Sequence, residues 1–250
     1  MISNIPIKSE KEIEIMRQGG KILARILKEI MTKIRPDITT GEIENFARTL
    51  FKNYKLEPSF LGYKGYPACS CISINEEWVH GIPSERKIKK GDIVSLDVGV
   101  YYKGYATDMA ITFGIGGISK EDQNLIKATK KALDAGIKKA RAGNRIGDIS
   151  AAIQQVIEEG GFSVMRKYRG HGVGKEPHEE PDIPDFGSPN TGPKIKKGMI
   201  FALEPMASAG DYRTKVLSNG WTVIPKDGSR TAHFEHTVAI TDKGPEILTR

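Results

Sequence analysis

A segment that occurs twice constrains the fold of this chain more than any other feature. Residues 87–97 read KIKKGDIVSLD and residues 194–204 read KIKKGMIFALE, so seven of eleven positions are identical and each copy ends in an acid. The tripeptides GEI (41–43) and GDI (147–149) start predicted helices 106 residues apart, close to the 107-residue offset of the two segments. A nearly constant offset indicates internal duplication. We therefore expect one domain over residues 1–250, with two halves related by pseudo-two-fold symmetry.

Local patterns predict that each half contains two helices followed by strands. Capping residues, apolar periodicity and terminal Gly or Pro predict four helices: from Ser9 to before Pro36, from Thr39 to about Tyr54, from Ser119 to near Gly143, and from Asp148 to the Gly160–Gly161 pair. Runs rich in β-branched residues between turn residues predict the strands: CISIN, IVSLDVGV, YATDMAITF, SVMRKYRGHGVG, MIFALEP, WTVIPK, TAHFEHTVAIT and EILTR. The pattern favours the α+β class.

Composition and charge exclude several classes of protein. No apolar run approaches the roughly 20 residues of a membrane span, and the N-terminal MISNIPIKSEKEIEI lacks the apolar core of a secretory signal. Cys69 and Cys71 are too close together to form a disulfide framework, so we expect a protein of the reducing cytoplasm. The formal charge of +7 comes from basic residues dispersed over predicted helices. This favours solvated helix faces over an RNA-binding surface.

Two aspartates flank a predicted hairpin. If the turn lies at Tyr102–Lys103, then Asp97 and Asp108 are directly opposed on one face of the sheet, with side chains about 5 Å apart. Carboxylates at that distance repel unless one is protonated or a cation lies between them. A metal ion is the simplest resolution, although an isolated pair with this spacing more often has one acid in solvent.

The segment GHGVGKEPHEEP (170–181) carries His171 and His178 among glycines that let the backbone approach a ligand. Its glycine spacing and strand–loop context do not match the dinucleotide-binding fingerprint. A third acid, Glu204, ends the apolar run IFAL, where the alternative is a surface glutamate at a strand end.

The segment TAHFEHT places Glu235 between two histidines. Strand alternation puts His233 and Glu235 on one face and His236 on the other. His233 could equally be a surface residue, and His236 could hydrogen-bond a metal-binding carboxylate. Together the segments supply four acids and one imidazole from both halves, which suits two hard or borderline divalent ions about 3.5–4 Å apart with bridging carboxylates.

The ordered set Asp97, Asp108, His171, Glu204 and Glu235, with GHGVGKEPHEEP and FEHT around it, resembles the pita-bread metallopeptidases. Within them the chain is similar to the type I methionine aminopeptidases over almost its whole length. The resemblance implies the pita-bread fold and a methionyl aminopeptidase of the cytoplasm. It also implies removal of N-terminal methionine from nascent proteins, preferentially before a small second residue, with two divalent ions such as Co, Mn, Fe or Zn.

The resemblance also implies a role for each ligand. Asp97 would chelate one ion, His171 with Glu204 would hold the other, and Asp108 and Glu235 would bridge both. A hydroxide between the ions would be the nucleophile.

The same resemblance implies the residues that act on the substrate. Glu204 would carry the proton from the attacking water to the leaving amine. His178 would hydrogen-bond the scissile carbonyl, and His80 would contact the amide on the leaving side. A set of aromatic and sulfur-containing residues would form the methionine pocket: Tyr63, Tyr66, Cys71 and Trp221. Phe60 and Pro177 depart from residues common in the family at those positions and leave the depth of the pocket open.

Two alternatives fit part of this pattern. A prolidase or Xaa-Pro aminopeptidase of the same fold usually carries an additional N-terminal domain, for which the sequence before Asp97 leaves no room. A non-catalytic relative attached to RNA or ribosomes would be expected to have lost ligands. We expect a monomer without an N-terminal extension or membrane contact, which acts on nascent polypeptide N-termini. Contact with the ribosome through the basic surface is a further hypothesis.

Overall fold

The computed structural model describes residues 5–250, in which four α-helices lie in two consecutive pairs. The first pair is α1 (Glu10–Met31) and α2 (Thr40–Tyr54), and the second is α3 (Lys120–Lys139) and α4 (Ile146–Glu159). These residues also form a 3-10 turn at Tyr63–Gly65 and fourteen strands: β1 (Glu57–Pro58), β2 (Ser70–Ile74), β3 (Ile93–Tyr102), β4 (Tyr105–Gly114), β5 (Ser163–Val164), β6 (Gly170–Gly172), β7 (Glu179–Ile183), β8 (Ile200–Leu203), β9 (Met206–Ser208), β10 (Thr214–Val216), β11 (Val223–Pro225), β12 (Thr231–His233), β13 (Glu235–Thr241) and β14 (Gly244–Ile247).

Nine strands form one antiparallel sheet, and its order places strands from both halves of the chain side by side. The order is β1-β3-β4-β13-β8-β6-β7, with β2 paired to β3 and β14 paired to β13. One apolar cluster packs α1 and α2 against β2, β3 and β4. Another packs α3 and α4 against β8 and β13. The predicted α+β class, with helices covering an antiparallel sheet, is confirmed. No helix in residues 5–250 combines the length and the apolar character that a membrane span requires.

The internal duplication is visible in the contacts of the two KIKKG segments. The N-cap of α2, Thr39, forms a β-bridge with Lys87, and the N-cap of α4, Arg145, forms the same bridge with Lys194. Each bridge therefore joins a helix start to the first lysine of a KIKKG segment. The isoleucine that follows, at 88 or 195, exchanges two backbone hydrogen bonds with the chain just before the same helix. The two KIKKG segments thus make the same contact, each with the start of one helix.

Two helix ends differ from their predicted positions. The fourth helix begins at Ile146, and Asp148 is its third residue, whose carboxylate accepts the N–H of the N-cap Arg145 at 2.7 Å. An acid at this position stabilises a helix start rather than preceding it. The third helix ends at Lys139, before Gly143, because Ala140 already leaves the helical conformation, with a ψ of 68°. The Gly143 N–H then donates to the Ile195 carbonyl of the second KIKKG segment.

The β3–β4 hairpin turns one residue later than predicted. Lys103–Gly104 has φ values of 49° and 81°, which are the left-handed values that a two-residue hairpin turn requires. Asp97 is therefore opposite Ala110, and Asp108 is opposite Gly99. The predicted register was wrong by two residues. The two aspartates still share a face, because a shift of two residues preserves the alternation of side chains.

The run TAHFEHTVAIT was predicted as one strand and forms two. β12 joins β9 and β5 in a separate three-stranded sheet, whereas β13 joins the main sheet. Phe234 lies between them, and its N–H donates to the Pro205 carbonyl at 3.3 Å. This break leaves Glu235 at the very start of β13.

Candidate active site

Five neighbouring strands of the main sheet each position one of the five predicted ligands. Across the sheet these are Asp97 on β3, Asp108 on β4, Glu235 at the start of β13, Glu204 directly after β8, and His171 on β6. Alternate residues of a strand share a face. Ala110 of β4 is opposite both Asp97 and Glu235, so these two side chains and that of Asp108, two residues before Ala110, share a face. His171 is opposite Ala202 of β8, two residues before Glu204. All five side chains therefore project from the same face.

The five side chains line one cavity of about 700 Å³. The same cavity is lined by the residues predicted to contact substrate: Phe60, Tyr63, Tyr66, Cys71, His80, His178 and Trp221. Pro177 is not among the residues that line it within the described chain. The structure thus brings the predicted site residues together.

Asp108 and Glu235 are buried, Asp97 and Glu204 are partly buried, and no lysine or arginine of residues 5–250 forms an ion pair with any of the four. Burial, reinforced by neighbouring carboxylates, raises the pKa of Asp97, Glu204 and Glu235 well above the ordinary range. Burial also raises the pKa of Asp108 to about 7. One oxygen of Asp97 and one of Glu235 have no hydrogen-bond partner. Only a cation or shared protons can relieve this repulsion.

The tautomer of His171 is fixed by its backbone contact. Nδ1 lies 2.9 Å from the Gly172 carbonyl oxygen, which can only accept, so Nδ1 carries the proton. Nε2 then presents its lone pair, and it lies 3.4 Å from Oε1 of Glu204. Burial lowers the pKa of His171 to about 4, so the ring is neutral near pH 7. Nε2 of His171 and Oε1 of Glu204 thus face each other with their lone pairs, as two ligands of one metal ion do. The backbone carbonyl that orients the ring of His171 is also typical of metal-binding histidines.

His178 lies between the candidate metal ligands and an aromatic wall. Its ring centroid is 4.0 Å from that of His171 and 5.2 Å from that of Tyr63, with which it stacks at 6°. Burial lowers the pKa of His178 to about 3, and the neighbouring His171 adds to the effect. A neutral imidazole here can donate a hydrogen bond without repelling a metal ion.

His80 is held in an unusual backbone conformation on the other side of the cavity. Its φ of 58° lies in the left-handed region, which is uncommon for a residue other than glycine and is often found at functional sites. The Thr222 hydroxyl donates to the His80 carbonyl at 3.2 Å. The imidazole meets Tyr168 and Trp221 edge-on, at 5.3 and 6.1 Å between ring centroids. These contacts aim the ring into the cavity.

The far end of the cavity is apolar. Phe60, Tyr66, Ala68 and Cys71 form a buried cluster against which Trp221 packs. The Tyr66 ring meets Trp221 edge-on at 5.1 Å, and the Tyr66 hydroxyl lies 3.1 Å from two backbone carbonyls, so its polar end is satisfied away from the cavity. Burial and the Asp97 carboxylate raise the pKa of the Cys71 thiol well above its usual range, which keeps it neutral.

Three residues near the site were not assigned to it from the sequence. Tyr168 packs on His80, and Asp185 is 1% exposed and adds to the high pKa of Glu204. His233 is 2% exposed, so the alternative of a surface residue was wrong. Its place on the same face as Glu235 was the only signal in the sequence.

His236 was predicted as a possible hydrogen-bond partner of a metal-binding carboxylate. In the structure its Nδ1 lies 2.9 Å from the Thr249 hydroxyl, so its partner is a hydroxyl rather than a carboxylate.

Comparisons with known proteins agree with this geometry. The sequence profile of metallopeptidase family M24 matches residues 14–242. A methionine aminopeptidase of Clostridium acetobutylicum is 50% identical over 246 residues, which cover 98% of each chain. The structure of a methionine aminopeptidase from Thermotoga maritima matches with a TM-score of 0.96 at 46% identity, covering 98% of this chain and 99% of that one.

The prolidase alternative finds weaker support. A prolidase from Pyrococcus horikoshii has the same fold, with a TM-score of 0.80, but is 23% identical and only 63% of its chain is covered. The pita-bread fold is common to both groups, whereas the full-length identity of 50% points to one of them. The chain belongs to metallopeptidase family M24, within the methionine aminopeptidases, which remove the N-terminal methionine of polypeptides.

Proposed function

We propose that this chain removes N-terminal methionine at two divalent ions held by the five ligands on one face of the sheet. The observation that carries the proposal is the convergence of four buried or partly buried carboxylates and one imidazole, from five adjacent strands, without a lysine or arginine partner in residues 5–250. Asp97 would hold one ion, and His171 with Glu204 would hold the other. Asp108 and Glu235 would contribute ligand oxygens to both.

The donor atoms fit divalent ions in both chemistry and spacing. Ligand atoms of Asp108, His171 and Glu235 lie within 4.8 Å of one another. The 3.4 Å between His171 Nε2 and Glu204 Oε1 suits two donors each about 2.1 Å from one ion. Oxygen donors with one imidazole suit Mn, Fe, Co or Zn. When bound, the ions would polarise the scissile carbonyl and lower the pKa of the attacking water toward neutrality.

The protein side chains then move protons and stabilise charge. Glu204 accepts the proton of the attacking water and delivers it to the leaving amine. Its carboxylate lies beside the candidate metal ligand His171, where the attacking water is expected. Neutral His178, stacked between His171 and Tyr63, donates a hydrogen bond to the carbonyl oxygen as negative charge develops. His80, aimed into the cavity from the opposite wall, contacts the amide on the leaving side.

The apolar end of the cavity supports methionine as the residue removed. Tyr66, Cys71 and Trp221 give a methionine side chain an aromatic and sulfur-containing environment. Cys71 is directly opposite Asp97 in the β2–β3 register. A methionine whose side chain fills this pocket therefore has its amino group beside the carboxylates. We further propose a preference for a small second residue, because Tyr168 and Trp221 both pack on His80 where that residue would pass.

A peptide panel tests the reaction. Metal-stripped protein is supplied with Mn or Co and offered Met-Ala-Ser, Met-Leu-Ser, Leu-Ala-Ser and the dipeptide Ala-Pro. Release of methionine from Met-Ala-Ser, dependent on the ion and faster than from Met-Leu-Ser, is the expected result. Cleavage of Ala-Pro in preference would move the chain to the prolidase reaction. Cleavage of none of the four with any ion would refute the proposal.

Binding to ribosomes is proposed separately and rests on charge. The formal charge of +7 would attract ribosomal RNA, near which nascent N-termini emerge. Sedimentation with ribosomes at low and at physiological salt tests it. The fraction of protein that pellets should fall as salt rises, and absence from the pellet at both concentrations would remove the proposal.

A further inference from the structure

His233 is a buried imidazole beside Glu204 for which the proposed metal centre and methionine pocket have no role. Its side chain is 3% exposed, and its Nε2 lies 3.5 Å from Oε2 of Glu204. That nitrogen has no hydrogen-bond partner in the structure. An unpaired polar atom in a buried position is costly and calls for a physical explanation.

The Glu204 carboxylate lies between two imidazoles. Oε1 is 3.4 Å from Nε2 of His171, and Oε2 is 3.5 Å from Nε2 of His233. The two oxygens therefore face different partners. The oxygen toward His171 is the one placed to bind an ion, and the other is placed to accept a hydrogen bond.

The backbone of His233 is fixed by neighbouring strands. Its N–H donates to the Thr112 hydroxyl at 2.8 Å, and the same hydroxyl donates to its carbonyl at 2.7 Å. The Ser95 hydroxyl lies 2.7 Å from that of Thr112 and can donate to it. His233 also pairs with Met206 in the β12–β9 register. The imidazole is thus presented to Glu204 from a rigid position.

The placement argues against His233 as a metal ligand. Its Nε2 faces Oε2 of Glu204, whereas Nε2 of His171 faces Oε1, so the Glu204 carboxylate stands between the two imidazoles. Oε1 is the oxygen assigned to an ion, and His233 is therefore placed to influence that ion through Glu204.

We propose that His233 is a positioning residue whose Nε2–H donates to Oε2 of Glu204 and keeps Oε1 directed at the ion beside His171. The proposal rests on the proposed role of Glu204 as ligand and proton carrier. A small rotation of either side chain shortens the 3.5 Å contact to a hydrogen bond. Such partners of metal-binding carboxylates typically contribute 10–100-fold to metal affinity or activity.

Two variants separate a hydrogen bond from simple packing. His233→Leu removes the donor, whereas His233→Gln keeps an N–H near the position of Nε2. Calorimetric titration of metal-stripped protein with Mn should show that His233→Leu binds the ion beside His171 about 10–100-fold more weakly. Its kcat for Met-Ala-Ser should fall while its KM stays near the wild-type value. His233→Gln should recover most of both losses.

Other results would overturn this role. Unchanged Mn affinity and kcat in His233→Leu would show that the imidazole only fills space. Equal losses in both variants would show that the ring itself, and not a donated hydrogen bond, is required. Wild-type protein that binds no Mn would refute the proposed metal centre instead, so the two failures are distinguishable.

A spectroscopic measurement decides the matter even if His233→Leu fails to fold. Nitrogen-15 NMR of the zinc-loaded wild-type protein reports which ring nitrogen of each histidine carries the proton, and His233→Gln assigns the signal. A proton on Nε2 of His233 is expected. A bare Nε2 in the zinc-loaded protein would overturn the proposal.

Discussion

Replacement of Asp108 by asparagine should stabilise the metal-free protein at high pH although it destroys the proposed metal centre. Asp108 is 5% exposed and lines the cavity together with the other three assigned carboxylate ligands, Asp97, Glu204 and Glu235. Burial raises its pKa from 3.8 to about 7. Asparagine has nearly the same shape, carries no charge, and can still accept the Met109 N–H that Asp108 accepts at 2.9 Å.

The sign of the effect follows from the direction of the shift. Between pH 3.8 and 7 the folded protein keeps a proton on Asp108 that the unfolded chain has lost, so the free energy of unfolding falls as pH rises. The shift is about three pH units, each worth about 1.36 kcal/mol, so the full effect is about 4 kcal/mol. About two of these units lie above pH 5. We therefore expect about 3 kcal/mol of change between pH 5 and 8, or a relative shift in Tm of roughly 6–12 °C.

The difference between two proteins is the quantity to measure. Five histidines have lowered pKa values because they are buried, and their titration below pH 6.5 has the opposite effect on stability. This contribution is common to wild type and Asp108→Asn and largely cancels. Thermal unfolding of both metal-stripped proteins is followed at pH 5, 6, 7 and 8. Asp134→Asn, on the exposed face of α3, controls for the exchange of an aspartate for asparagine.

The expected result is that Asp108→Asn gains stability relative to wild type as pH rises, and that Mn reverses the order by stabilising the wild type. A ligand at 100 times its dissociation constant stabilises by about 2.7 kcal/mol. Two results would refute the claim that burial raises the pKa of Asp108. One is a stability difference that does not depend on pH, and the other is a variant that loses stability relative to wild type toward pH 8.

Three further variants test other parts of the site. Glu204→Ala should keep the fold by circular dichroism but lose methionine release by several orders of magnitude, and retained turnover would overturn its assigned role. His178→Ala should lower kcat/KM for Met-Ala-Ser roughly 10²–10³-fold, as for loss of one oxyanion donor, and a wild-type rate would leave His178 as a packing residue. Gly81→Ala should cost about 1–3 kcal/mol of stability and lower activity, because its Cβ would lie 2.4 Å from the Ile72 carbonyl oxygen behind His80. The control Gly117→Ala, with no atom within 4 Å of the new Cβ, should unfold at the wild-type temperature, and equal Tm values for the two alanine variants would contradict the reasoning.

The features predicted well from the sequence are those encoded over short distances or repeated. Both capping boxes, at Ser9 and Thr39, form as predicted, because each needs only residues three apart. The duplication was visible in the sequence because both KIKKG segments keep the residues with which they contact the start of a helix. The five ligands could be found together because each lies on or directly beside a predicted strand, and because their order along the chain resembles that of a known family.

The features that were missed depend on contacts between distant segments. The turn at Lys103–Gly104 requires a lysine at φ 49°, which sequence patterns disfavour, and so the hairpin register was predicted two residues away. The break at Phe234 depends on a hydrogen bond to the Pro205 carbonyl, 29 positions earlier in the chain. That break and the β9–β12 pairing bring His233 to Glu204, and no local pattern specifies either of them.

Anomalous diffraction from crystals loaded with manganese would show whether the five assigned ligands hold two ions. We expect two manganese peaks in the cavity, one at Asp97 and one between His171 and Glu204, with Asp108 and Glu235 in contact with both. Manganese bound elsewhere, or an ion-free cavity in protein that still releases methionine from Met-Ala-Ser, would contradict this expectation.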